Sequence, residues 1–323
     1  MIRRPPRSTQ SRSSAASDVY KRQEALSGMK IGKIWYDEPM SRHASLKLGG
    51  RVDALVMVES EGQLGELIQR LKAGSIPYMP VGNLTNIIVR DGGYHGVMLW
   101  MQGLDQVACE AAEGGQYFIR AQAGVGLSRV VGLAAAEELT GLEFCTGIPG
   151  IVGRAVWMNA GAYGTEIKDV VSSVTVIDGR AGKKILRREE IAFAYRRSNL
   201  PADVIVCGAC FVLKKGSEAQ IRERMVQIMK WRQEKHPLQY PSAGSVFKNL
   251  PGLPAGKLIE ELGLKGMRRG DAQVSKQHAN FIINKGRGTA QDVITLIKLI
   301  QEKARKERGV ELETEVKIIG ENP

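Results

Sequence analysis

No apolar run in this 323-residue chain approaches the ~18 residues that a membrane-spanning helix needs, so no membrane insertion is expected. Cysteine is scarce, four in all, which excludes a disulfide scaffold and fits a reducing, cytoplasmic setting. Histidine is equally scarce. Cys207 and Cys210 are the one close cysteine pair, and they sit in a strand-like apolar run, which turns side chains three apart to opposite faces. With no second pair or nearby His to complete four ligands, they read as buried structural thiols and no metal site is expected. Aromatics are only 6% and the basic residues are scattered, so the net charge of +12 does not make a nucleic-acid surface.

Much of that charge is local. Residues 1–23 hold six basic residues and one acid, a net +5, leaving +7 for the remaining 300. This stretch lacks both the apolar core of a secretory signal and an amphipathic repeat, and it reads like translated adapter sequence. Residues 1–28 are therefore expected to be non-native or disordered, with Met29 as the start of the folded protein.

What the chain does have is a 43% hydrophobic content, enough for a real core, and 37 glycines, about 11% where ~7% is usual. The pattern predicts an α+β protein in three units: 29–100, 101–216 and 217–323. In the first, a strand near 52–58 precedes a helix that Ser60 caps and Gly74 ends, followed by strands at 78–81, 86–89 and 97–101. In the second, strands are expected at 106–111, 116–123, 170–177, 183–187 and 204–213, with a helix near 128–139. In the third come helices at 217–235, 255–262 and 289–308, a strand at 280–284, and a last strand at 311–319. Thr289 and Asp292 form a capping-box start and Gly309 ends that long helix. On the last strand the two-residue period puts Leu312, Thr314, Val316 and Ile318 on one face and Glu315 on the other.

Two loops carry the strongest chemistry. Residues 141–164, GLEFCTGIPGIVGRAVWMNAGAYG, hold six glycines, and Gly147, Pro149, Gly150 and Gly153 expose backbone N–H groups that can converge on a phosphate. Residues 81–91, VGNLTNIIVRD, form a second candidate, in which Gly82 and Asn83 tolerate left-handed backbone and Thr85 and Asn86 add side-chain donors. Each alone is as well read as an ordinary turn; together they suit a dinucleotide lying between two subdomains. Gly124-x-Gly126 lacks a third glycine and reads as a tight strand-to-helix turn rather than a dinucleotide fingerprint. A polar set lies later: Tyr195–Ser198, Ser242–Asn249, Gln273–Asn280 and Glu315. An Arg, a Ser and a Glu can stabilise and protonate an enolate, but spacing alone does not bring them together.

With those residues in view, the chain resembles the UDP-N-acetylenolpyruvoylglucosamine reductase (UDP-N-acetylmuramate dehydrogenase) family, in its shorter form, over about 30–320. SLKLGGRVDALV (45–56), VGNLTNIIVRDGG (81–93), the 141–164 loop, FAYRRSNL (193–200), PSAGSVFKN (241–249), AGKLIEELGLKGMRRGDAQVSKQHANFIIN (255–284) and LETEVKIIG (312–320) carry the resemblance. It implies an FAD-binding domain of the vanillyl-alcohol-oxidase type, made of two α+β subdomains, plus a smaller α+β substrate domain. It also implies FAD as cofactor, NADPH as co-substrate and UDP-N-acetylglucosamine enolpyruvate as substrate, in cytoplasmic peptidoglycan precursor synthesis.

By motif, Arg196, Ser245 and Glu315 are the implied catalytic residues. The implied FAD contacts are Gly82, Asn83, Leu84, Thr85 and Asn86 in one loop. In the other they are Gly147, Ile148, Pro149, Gly150, Gly153, Asn159, Ala160, Gly161 and Gly164. Tyr195, Asn249, Lys257, Gln273, His278 and Asn280 are candidate substrate contacts. The chain departs from the family's pattern at Leu84 and Thr85, where the pattern has Gly and Ser, at Arg154, where a second glycine is usual, and at Leu250, which takes the place of a proline. The departures bear on FAD affinity more than on reaction type.

Overall fold

The computed structural model describes residues 26–28 and 32–322. Among the described residues three larger sheets, one in each unit, are accompanied by three two-stranded ones. The first sheet orders its strands Ile34–Pro39, Arg51–Met57, Tyr94–Trp100 and Tyr78–Val81. The pairings of Tyr94–Trp100 with Arg51–Met57 on one side and with Tyr78–Val81 on the other are parallel, as a strand–helix–strand crossover requires. The crossover is the helix Glu61–Ala73, whose first turn Ser60 caps by accepting from the Gln63 N–H, and which turns Leu64, Leu67, Ile68 and Leu71 into the core. The strand Ile34–Pro39 has no strong alternation and was not expected from sequence.

The second sheet is antiparallel, in the order Lys183–Arg187, Val171–Ile177, Ile205–Lys215, Gln116–Gln122, Val107–Ala111. Cys207 and Cys210 lie buried on its central strand as free thiols. Among the described residues no group of three or more His, Cys, Asp or Glu is placed to hold a metal ion, and no described helix is long and apolar enough to cross a membrane. The third sheet runs Ser242–Ser245, Phe281–Asn284, Ala272–Val274, Arg268–Arg269, also antiparallel. The helix Ala290–Arg308 covers it, with the expected Thr289–Asp292 capping box and with Gly309 in left-handed backbone at φ 65°.

Three boundaries differ from the sequence reading. Residues 1–25 of the expected tail lie outside the described residues, but Leu26 is buried in the apolar cluster that holds Leu64, Leu67 and Leu71, and the Ser27 carbonyl accepts from the Arg70 guanidinium. Leu26–Gly28 thus belong to the first unit. The helix Glu218–Lys235 was assigned to the third unit, yet it packs on the helix Leu127–Ala136 and the turn at Glu143–Cys145 in the second. The last strand is shorter than expected. Thr314 makes a single antiparallel bridge to Phe247, and Lys317–Ile319 forms the strand, in parallel with Ile87–Val89, which carries the C-terminal segment out of the third unit and back to the first.

A second tie joins those units. Asp91 accepts hydrogen bonds from the Ala290 and Gln291 N–H groups at 3.0 and 2.8 Å, capping the long helix from across the unit boundary. Replacing Asp91 with Ala should cost about 1 kcal/mol, read as a lower urea midpoint, with Asp91→Asn retaining most of it. An unchanged midpoint in Asp91→Ala would contradict this role.

Candidate active site

The 81–91 loop follows the strand Tyr78–Val81 and meets the 141–164 loop directly: the Thr85 hydroxyl donates to the Pro149 carbonyl at 2.8 Å. Left-handed backbone in the first loop falls on Leu84, φ 52°, and not on Gly82 or Asn83 as expected. Leu84 takes this conformation because its side chain is buried among Met40, Val81 and Val89. Core packing there offsets the ~1 kcal/mol or more that the conformation costs a residue with a Cβ. In the second loop Gly147 is left-handed at φ 71°, and an added Cβ would press on the Arg232 side chain at 2.7 Å. The glycine-rich stretch is not all loop: Val152–Trp157 forms a short helix behind it.

The loops border a cleft of about 700 Å³. Thr85, Asn86, Gly147, Ile148, Pro149, Gly150, Ala160 and Gly161 line it, together with Arg196, Ser245 and Glu315. An adjoining cavity of about 250 Å³ is lined by Gly82, Asn83, Leu84, Thr85, Asn86 and Gly153, among others. Together they suit a long dinucleotide. Asn86 borders both, and its buried side-chain amide oxygen has no hydrogen-bond partner, as expected of a group that completes its bonding on a ligand. Two residues expected at the cofactor line neither space. Asn159 is fully buried, its amide donating to Glu166 and Ala194 and its carbonyl accepting from the Lys168 N–H. Gly164 stands in a turn at φ 85°.

The three residues placed at the chemistry do converge on the cleft. Arg196 sits in the two-residue turn between Phe193–Ala194 and Arg197–Ser198, at φ 54°. That position favours glycine, so an arginine held there signals a use for its side chain. Its guanidinium donates to the Gly161 carbonyl at 2.9 Å and lies 3.3 Å from a Glu315 oxygen, an ion pair rather than a well-aligned hydrogen bond. Ser245 ends its strand after Gly244, which is left-handed at φ 74° and interrupts the register with Phe281–Asn284.

Glu315 does not face solvent, as the expected strand 311–319 would have it. The chain bends at 315–316, the Glu315 N–H donates to the Val246 carbonyl at 2.8 Å, and the side chain is only 14% exposed. Burial raises its pKa above the ordinary carboxyl range, against the opposing pull of Arg196, Arg154 and Lys248.

None of the six candidate substrate contacts lines these cavities; each has another position or role. Asn280 is buried, accepting from the Phe247 N–H at 2.9 Å and donating to the Phe247 carbonyl at 2.8 Å, so it fixes the segment that follows Ser245. The Asn249 side chain caps the helix Ala255–Glu261, while its N–H donates to the Tyr195 hydroxyl at 3.3 Å. Gln273 donates to the Gly266 carbonyl, Lys257 is an exposed partner of Glu261, and His278 accepts from the Asn280 N–H.

Sequence reading missed much of the cleft wall: Ser45, Tyr163, Trp231, Arg232, Lys235, His236 and Tyr240. Arg232 had a legible signal. It follows Ile221, Met225 and Ile228 at helical spacing, on the apolar face of its helix, where a charged residue needs a reason.

Comparison with known proteins agrees with this geometry. Residues 52–185 match the FAD binding domain family, and residues 236–319 match the C-terminal domain of UDP-N-acetylenolpyruvoylglucosamine reductase. The second match starts just after the helix Glu218–Lys235, in line with that helix's packing on the second unit. The UDP-N-acetylenolpyruvoylglucosamine reductase of Syntrophus aciditrophicus is 45% identical over 299 residues, 93% of this chain and 96% of that one.

The chain belongs to the UDP-N-acetylenolpyruvoylglucosamine reductase family. The reductase of Caldanaerobacter subterraneus subsp. tengcongensis is also 45% identical, over 91% of this chain and 96% of its own. The crystal structure of the Thermus caldophilus reductase aligns with a TM-score of 0.73 at 33% identity, covering 90% of this chain and all of that one. The chain is an FAD-dependent oxidoreductase with an α+β FAD-binding fold and a further α+β domain.

His236, at the cleft edge, is held neutral. Burial, then the Arg232, His278 and Lys235 charges, lowers its pKa from 6.5 to about 4. The unfolded chain takes up this proton near 6.5 and the folded chain not until about 4. The His236 contribution to stability is therefore whole above 6.5 and is lost as pH falls toward 4. Urea midpoints measured across that window should fall with acid, and His236→Gln should flatten the slope; an identical slope in the variant would refute the assignment.

Proposed function

We propose that this chain catalyses the NADPH-dependent reduction of UDP-N-acetylglucosamine enolpyruvate to UDP-N-acetylmuramate, in the cytoplasm, as a step of peptidoglycan precursor synthesis. The observation that carries the reading is the partly buried Arg196–Glu315 pair, facing the cleft that Ser245 also lines and that the two glycine-bearing loops border. The names of the relatives support the substrate. The scarcity of cysteine fits the compartment.

In this reading the 147–150 loop and Asn86 would hold FAD, backbone N–H groups of the loop serving its phosphates, while the Thr85 hydroxyl, donating to the Pro149 carbonyl, fixes one loop against the other. Held there, FAD would supply the hydride chemistry that links the nicotinamide coenzyme to the double bond of the enolpyruvyl group. The protein deals with charge and proton. As the methylene carbon C3 gains hydride, negative charge develops at C2 and spreads into the adjoining carboxylate. The Arg196 guanidinium, fixed by the Gly161 carbonyl before substrate arrives, stabilises that charge where it appears. The Ser245 hydroxyl gives its proton to C2, completing the saturated lactyl ether. Glu315, which burial biases toward its protonated form, holds Arg196 in place and supplies the acidic hydrogen-bond partner of the carboxylate.

The cleft is also cationic. Among the described residues Arg154, Arg196, Arg232 and Lys235 line it against one carboxylate, Glu315, which suits a nucleotide sugar and a phosphorylated coenzyme.

Ser245→Ala separates the two halves of the reaction. Bleaching of the flavin by NADPH should proceed at the wild-type rate, while turnover of the enolpyruvyl ether falls by ~10²–10⁴. Undiminished turnover, or equal loss of both half-reactions, would remove Ser245 from the proton step.

A further inference from the structure

Arg154 stands where the family resemblance leads one to expect glycine, and the structure gives it an unusual position. Among the described residues it alone lines the main cleft, the adjoining cavity and a third space of about 230 Å³ shared with Arg196, Lys248, Glu315 and Lys317. It lies in the first turn of the helix Val152–Trp157, directly behind the 147–150 loop. Among the described residues no hydrogen bond and no ion pair within 4 Å engages its guanidinium. Burial lowers its pKa, and Glu315 is the one acid that acts on it, at a distance. Lys317 beside it is pushed down by burial and by Arg154 itself. A guanidinium placed among other cations, with no anion of its own, costs free energy that the free protein does not recover. Such a group is explained when a ligand brings negative charge to it.

The position narrows which charge. A dinucleotide that occupies both the main cleft and the space beside the 82–86 loop must pass Arg154. At the Glu315 end the reaction takes place, so the part of FAD that lies there is the part that carries electrons, the isoalloxazine ring. Two-electron reduction with uptake of one proton leaves that ring with one negative charge. We propose that Arg154 is a positioning residue for the cofactor, placed to hold the negative charge that the flavin ring gains on reduction, and so to set the flavin potential in this chain. The proposal rests on FAD being bound as described above.

The test is the midpoint potential of the flavin in the purified holoenzyme, measured by spectroelectrochemistry without substrate. Arg154→Met and Arg154→Gly should both retain flavin and shift the potential to more negative values, by about 30 mV for a tenfold loss of preference for the reduced ring. Arg154→Lys, which keeps the charge, should stay near wild type. The two neutral variants differ in bulk, so a folding defect in one leaves the other to decide. An unchanged potential in a neutral variant with wild-type flavin content overturns the proposal. Loss of flavin with an unchanged potential in what remains also overturns it and assigns Arg154 to the pyrophosphate. A wild-type protein without flavin would instead refute the cofactor reading itself.

Discussion

The pairing of Lys317–Ile319 with Ile87–Val89 is the constraint on which the site depends. Three short parallel pairings bring the end of the chain back to the first unit, and on the way the backbone passes Val246 and bends at Glu315. Val246 is held at the same time, its N–H donating to the Asn280 carbonyl, while Asn280 clasps Phe247 from both sides. Ser245 and Glu315 therefore sit on either side of one fixed segment. Arg196 arrives from the second unit on a strained turn. Side chains from positions more than a hundred residues apart meet because the last strand closes the circuit.

The electrostatics follow from that closure. One carboxylate, Glu315, is buried among Arg196, Arg154 and Lys248, and burial still wins over the three cations in its protonation balance. The cations are the larger population, and within the free protein they are only partly compensated. A site of this kind is poised for anions. Fixed positive groups of this kind lower a barrier most where negative charge appears.

Local order was legible in the sequence and long-range closure was not. Ser60, Gly74, Thr289, Asp292 and Gly309 announced helix ends through side-chain and backbone chemistry that acts over a few residues. The two loops were legible because glycine and asparagine content points to converging donors. The periodicity of 311–319 misled: Leu312 and Val316 are indeed buried, but against the third unit's core, and the bend that turns Glu315 inward is set by Val246, a partner 69 positions away. Asn159 and Asn280 were expected at ligands because they lie in recognisable motifs, and both prove to spend their amides on backbone or side chains of the protein. Their motifs mark a scaffold that holds the site as much as the site itself. Arg154 and Leu84, the departures from the family's pattern, could be seen in the sequence, but only the packing shows that one fills core and the other stands unpaired between cavities.

The central claim is that the cleft couples a bound flavin to an enolpyruvyl acceptor. The visible spectrum of the purified protein, followed without oxygen, tests it most directly. The account predicts yellow flavin bands that bleach with NADPH and return on adding UDP-N-acetylglucosamine enolpyruvate. A colourless protein, or bleached flavin that regains colour only when air is admitted, would contradict it.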